Sequence, residues 1–154
     1  MVLMQFIVVE MRYIFGLGSI FMQESIFYMH GVLFMIGAGY TLLHNGHVRV
    51  DIFYREASKK RKALVDLAGV IVFLFPISFL IWWAGWAYVA RSWSVLEGST
   101  ETSGIPAVFL LKTVILVFAT LLPLQGVSMA ARSILVLKGF DQKRSEEEKR
   151  VEGL

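Results

Sequence analysis

The stretch from Leu67 to Val89, LAGVIVFLFPISFLIWWAGWAYV, decides the fold of this chain, and it holds no charged residue. A helix rises about 1.5 Å per residue, so roughly 20 residues cross the hydrocarbon core of a bilayer. A strand is excluded because lipid offers no partner for unpaired backbone groups. The stretch therefore predicts a membrane-spanning helix, which tolerates Pro76 in its interior.

Three further apolar stretches accompany it, namely Met1 to Phe15, Ser25 to Leu43, and Ile105 to about Leu137. The chain has 154 residues, of which 56% are hydrophobic, and a soluble domain usually has fewer. This pattern predicts an all-α integral membrane protein with four transmembrane helices in one domain, residues 1–138. Residues 139–154 are predicted to form a charged cytoplasmic tail.

The first stretch is short for a span. Only 15 residues precede the loop at Gly16, or about 22 Å of helix against about 30 Å of hydrocarbon. Glu10 and Arg12 also lie in its outer half, and no Lys or Arg precedes it. We therefore expect the printed sequence to begin inside its first helix, with Met1 or Met4 being an internal methionine.

Basic residues predict the orientation. The segment between the second and third spans holds Arg49, Arg55, Lys59, Lys60, Arg61 and Lys62, whereas the loop between the third and fourth spans holds only Arg91. Lys and Arg concentrate in cytoplasmic segments, so both termini are predicted to be cytoplasmic. The net charge of +3 is explained by these flanks, and no nucleic-acid partner is predicted.

The basic segment also shows helical periodicity. Apolar residues fall on one face, namely Val50, Phe53, Tyr54, Ala57 and Leu64, and polar residues lie elsewhere, including Arg49, Asp51, Arg55, Lys59 and Lys62. This pattern predicts an amphipathic helix in the cytoplasmic interface, between the second and third spans. Its basic side would face the anionic headgroups of membrane lipids.

Charged residues near the outer surface need partners at membrane depth. Arg12 and Glu24 are predicted to form a structural ion pair, with proton relay as the alternative. Lys112 is predicted to extend outward to Glu97 or Glu101. Trp93, Glu97 and Glu101 form either a periplasmic docking surface for a basic partner or a solvated loop.

No catalytic, cofactor or metal site is predicted. His30 is read as a neutral histidine bonded to a neighbouring helix rather than as a haem ligand, and His44 with His47 lacks a third zinc ligand. Without cysteine, disulfides and thiolate sites are excluded. Small residues let membrane helices approach, and those predicted to contact another subunit are Gly31, Gly37, Ala38, Gly39, Gly126, Ala130 and Ala131.

Several segments together resemble one family. They are YTLLHNGHVRVDIFY (Tyr40–Tyr54), RYIFGLGSIFMQE (Arg12–Glu24), SWSVLEGSTETSGIPAVFLLK (Ser92–Lys112) and LLPLQGVSMAARS (Leu121–Ser133). The run HVRVDIFY is the most specific of them. The chain resembles the small membrane subunit of tripartite ATP-independent periplasmic (TRAP) transporters, the DctQ-like proteins, over residues 5 to 138.

The resemblance implies a location in the bacterial inner membrane and two protein partners. A large DctM-like membrane subunit would carry the substrate and Na⁺ sites, and a DctP-like periplasmic binding protein would deliver the substrate, often a carboxylate. This chain would be a non-catalytic scaffold without a cofactor of its own. Two other interpretations stay open, which are a haem- or quinone-binding anchor of a respiratory complex and a self-sufficient small transporter.

Overall fold

The computed structural model describes residues 1–44, 46 and 57–139. They form four helices, which we number α1 (Val2–Tyr13), α2 (Ile20–Leu43), α3 (Lys59–Ser94) and α4 (Val108–Leu137). These residues contain no strand, as predicted. By length and composition, α2, α3 and α4 can each cross a membrane. Helix α1 has 12 residues, fewer than the roughly 20 that a span needs, so the fourth span stays a prediction.

The helices pack around α4, which contacts both α2 and α3, while α1 lies against α2. The buried apolar side chains in the described residues are small, namely Val8, Ala63, Val70, Val89 and Ala119. Large apolar side chains point outward instead, among them Phe34 at 69% exposure and Trp83 at 72%. This arrangement is typical of membrane helices, because lipid solvates large apolar groups and small residues permit close packing.

Helix α3 begins before the predicted third span. Ser58 caps it, since the Ser58 hydroxyl accepts a hydrogen bond from the amide of Arg61 at 3.4 Å. Lys59 and Lys62 therefore lie in the first turns of the spanning helix itself. Of the other residues assigned to a separate interfacial helix, Arg49, Asp51 and Arg55 lie outside the described residues, and that helix is not confirmed.

A π-helical turn at Val70–Leu74 interrupts α3 just before Pro76. Its widened geometry is visible where the amide of Phe75 donates to the carbonyl of Val70, five residues earlier. Proline has no amide hydrogen to donate, and local π geometry is one way in which membrane helices accommodate this. The turn faces α4, because Val70 is fully buried and lies beside Gly126.

The predicted subunit-contact residues divide into two groups. A Cβ atom at Gly126 would overlap Leu74, and one at Gly31 would lie 3.1 Å from Leu111. Gly39 likewise faces Leu121. Each of these three glycines therefore lies against a neighbour within the chain, and their contact with another subunit stays a prediction. A Cβ at Gly37 would meet nothing within 4 Å.

The three alanines of the same prediction differ in their exposure. Ala131 is exposed, whereas Ala38 and Ala130 are half-buried. Together with Gly37, they also remain predicted residues through which another subunit could be contacted.

Candidate functional site

A network of polar contacts lies at the end of the bundle that is predicted to be periplasmic, in the segment 95–107 that joins α3 to α4 and that we call the outer loop. Helix α3 ends in a Schellman motif, in which the amide of Leu96 donates to the carbonyl of Trp93 at 3.2 Å and that of Glu97 to Ser92 at 3.0 Å. Leu96 has a φ of 45°, a conformation that usually requires glycine. The motif turns the chain so that Glu97 faces α4.

Glu97 holds the loop against the start of α4. Its carboxylate accepts a hydrogen bond from the Lys112 ammonium at 2.5 Å. The same ammonium lies 4.1 Å from the centre of the Tyr88 ring, within the range of a cation–π contact. The hydrogen bond from Lys112 lowers the pKa of Glu97 below its usual value. The predicted contact of Lys112 with an acidic residue of this loop is thus confirmed, with Glu97 as its partner.

Glu24 holds the loop against α2. One carboxylate oxygen accepts a hydrogen bond from the Ser99 hydroxyl, and the other accepts from the amide of Ile105 at 2.6 Å. Gly104 makes this approach possible, since a Cβ there would overlap Ser99 and lie 2.7 Å from the Glu24 carboxylate. Both oxygens are engaged by the loop.

The predicted ion pair of Arg12 with Glu24 is therefore wrong. In the part of the chain that the structure describes, Arg12 forms no ion pair with Glu24; it is exposed and borders a shallow cleft between α1 and α2 with Gln5 and Gln23. The physical reason is that the loop offers Glu24 two neutral donors at close range. Hydrogen bonds to an ionised carboxylate are strong, so they satisfy it without a cation.

The predicted docking residues also make contacts within the chain. The Trp93 indole donates to the Thr113 hydroxyl at 2.9 Å, and its ring meets Phe109 edge-on at 4.7 Å. Glu97 is paired with Lys112, as described above. Of the three residues in that prediction, Glu101 alone presents a carboxylate without a contact in the described residues, and it is exposed. The docking surface stays a prediction, and Glu101 at the tip of the outer loop is the carboxylate that would be available to it.

The histidines make ring contacts. His30 is exposed on α2 and stacks on Phe34 of the same helix at 6.1 Å, and the predicted bond to a neighbouring helix is not seen among the described residues. His44 lies 4.3 Å from the Tyr40 ring, and His47 lies outside the described residues. Across residues 1–44, 46 and 57–139, no three His, Asp or Glu side chains are grouped as metal ligands would be.

Sequence reasoning missed Ser99, the Ile105 amide and the Tyr88 ring as partners. A signal for the first two was present, because the run from Gly98 to Gly104, GSTETSG, is rich in residues that favour tight turns. Such a turn brings its amides and hydroxyls to one place. What the sequence did not indicate was which carboxylate would accept from them.

These features define a helical membrane protein in which the polar contacts at the outer end hold the helices and their loop together. Residues 1–136 match the family described as tripartite ATP-independent periplasmic transporters, DctQ component. The chain belongs to this family and is a small permease subunit of a TRAP transporter, which confirms the resemblance seen in the sequence. Neither a curated protein nor a solved structure matches the chain.

Proposed function

We propose that this chain is a non-catalytic scaffold for the large DctM-like membrane subunit during cation-driven uptake of an organic acid. Family membership over residues 1–136 is the observation that carries the proposal. Substrate and Na⁺ would bind to the large subunit, and this chain would need no cofactor. A DctP-like binding protein would deliver the substrate from the periplasm.

The packing of the helices supports a bracing role. The outer loop is bonded to α2 through Glu24 and to α4 through Glu97, so that three elements are held together at one end. Residues that could bind or translocate a solute within this chain would have to be polar and mutually accessible. Glu24 and Glu97 are instead engaged by structural partners, which favours a rigid body over a moving one.

The proposed orientation is that of the sequence prediction, in the bacterial inner membrane with both termini in the cytoplasm. It places Lys59–Lys62 inside and the outer loop in the periplasm, because basic residues concentrate on the cytoplasmic side. Glu101 at the loop tip would then face a periplasmic binding protein, and an exposed carboxylate suits a basic surface on that partner.

The open face of α2 at Gly37 is the proposed contact with the large subunit. The test is co-purification of the two subunits after Gly37→Leu, with Gly69→Leu as the matched control, since a Cβ meets nothing within 4 Å at either position. We expect Gly37→Leu to reduce recovery of the complex while Gly69→Leu leaves it unchanged, because bulk blocks close helix approach only where a partner helix lies.

Equal recovery for both variants would remove the α2 face from the interface. Transport activity distinguishes the scaffold from a small transporter. In liposomes we expect no uptake by this chain alone and cation-dependent uptake of an organic acid when the large subunit and the binding protein are both added. Uptake by the isolated chain would overturn the scaffold proposal.

A further inference from the structure

A second polar site lies at the opposite end of the bundle, where α3 begins and α4 ends, and we call it the inner cavity. It has a volume of about 270 Å³ and lies between the ends of α2, α3 and α4. A cavity needs only about 10–15 Å³ of such space to hold one water molecule. It is therefore large enough for a polar headgroup.

Two walls of the cavity are faces of α3 and α4, along which the lining residues recur at helical spacing. On α3 the lining residues are Lys59, Lys62, Ala63 and Asp66, and on α4 they include Met129, Arg132, Ser133 and Val136. Residues three and four apart share one face of a helix, so each set forms a stripe. Ala63 and Ser133, at 5% and 6% exposure, are small, and they leave the space between the stripes open.

The residues that line the cavity include more cations than anions. Lys59, Lys62 and Arg132 contribute three cations, against the one carboxylate of Asp66. Lys59, Lys62 and Asp66 also have interactions of their own, and within the lining itself the cations exceed the carboxylates by two. An excess of cations at a membrane boundary attracts anionic groups.

The lining is apolar as well as cationic. Leu42 and Leu43 contribute from the end of α2, and Met129 and Val136 from α4. A ligand that fits must therefore carry an anion beside hydrocarbon. A free anion would use only the charged part, whereas an acidic phospholipid presents a phosphodiester and acyl chains from the bilayer in which α2, α3 and α4 can lie.

We propose that the inner cavity binds the phosphodiester headgroup of an acidic phospholipid, with Lys62 and Arg132 as its principal cationic contacts. Lys62 is half-buried and projects from α3, and Arg132 faces it from α4. The lipid would join the two helices at the end of the bundle that has no counterpart of the outer loop among the described residues. This inference requires membrane insertion of the chain, but it does not depend on a role in transport.

The test is native mass spectrometry of the full chain, purified in detergent with any subunit that accompanies it, during titration with phosphatidylglycerol or phosphatidylcholine. We expect preferential retention of phosphatidylglycerol. Lys62→Gln with Arg132→Gln should weaken that binding about 30-fold, because each basic side chain beside an anionic headgroup contributes about fivefold. The matched control is Lys60→Gln with Arg61→Gln, which removes two exposed cations from the same helix end but not from the cavity lining.

Two additions separate a binding effect from a folding effect. Arg132→Lys keeps the charge and should retain binding within about threefold, and helical content by circular dichroism should be the same in every variant. Equal losses in the cavity and control variants would overturn the proposal, since binding would then follow surface charge. Displacement of the lipid by millimolar inorganic phosphate would also overturn it, because the site would then be one for a free anion.

Discussion

The two ends of the bundle use charge in opposite ways. At the outer end, Glu24 and Glu97 are each bonded to a neighbouring element, and both hold the outer loop in place. At the inner end, three cations and one carboxylate surround a cavity of about 270 Å³. The outer carboxylates therefore serve the fold, whereas the inner charges line the cavity in which we propose that a lipid headgroup binds.

The largest expected effect concerns the packing of α4 on the middle of α3, between the two ends. Gly126→Leu would drive a side chain into Leu74 and the π turn of α3. Overpacking of this kind costs about 3 kcal/mol when the neighbours cannot move. We expect a clear fall in the melting temperature of the purified protein and in its yield. The control is Gly69→Leu, at a position where a Cβ meets nothing within 4 Å, and an equal fall in both variants would contradict a specific role for Gly126.

An intermediate effect is expected from loosening the outer end alone. Glu24→Gln removes the charge that accepts from Ser99 and from the amide of Ile105. We expect hydrogen exchange at the Ile105 amide to become about tenfold faster, because hydrogen bonds to charged groups are the stronger ones. Exchange in α3 near Lys62 should not change.

The matched control for this measurement is Glu101→Gln, since Glu101 is exposed and contributes its backbone amide, not its carboxylate, to the loop. If exchange at Ile105 rose equally in the two variants, net charge rather than the Glu24 contacts would hold the loop.

The smallest expected effect is a pH dependence that belongs to the outer end. Lys112 lowers the pKa of Glu97 below its ordinary value of 4.5. A lowered folded-state pKa means that the stabilisation is fully present above pH 4.5 and is lost as the pH falls through the lower value. We expect loop protection to be constant from pH 7 to 5 and to fall only in stronger acid. Lys112→Met should abolish this part of the acid response, and an unchanged response in that variant would exclude the pair as its cause.

The spans were the part of the fold that sequence could predict, because apolar runs of this length leave only a helix in lipid. The predicted ends of the spans were less accurate than their existence. Helix α2 begins at Ile20 rather than Ser25, since the Ser19 hydroxyl accepts from the amide of Met22 and caps an earlier turn. Helix α3 begins at Lys59 because a helix end in the interface tolerates cations that the hydrocarbon does not.

The contacts of the outer loop were predictable only where they were local. Glu97 and Lys112 are 15 residues apart and flank one loop, so the reach of a lysine side chain limited the choice of partner. Glu24 and Ile105 are 81 residues apart, and several donors in the loop were equally plausible. The glycines show the same limit, because a small residue favours close packing without indicating whether the neighbour is this chain or another.

The π turn of α3 has a consequence for the angular relation between the two ends. Each residue of an α-helix advances the side-chain direction by about 100°, and a π turn accommodates one residue more than an α turn does. The residue added within Val70–Leu74 therefore sets the rotational phase of the Lys59–Asp66 stripe relative to the stacked Trp82 and Trp86 rings. A deletion that restored uniform α geometry would rotate the cations by about 100°, away from the cavity. Pro76 follows this turn near the middle of α3. The geometry around it therefore determines the directions in which side chains at the two ends of the helix point.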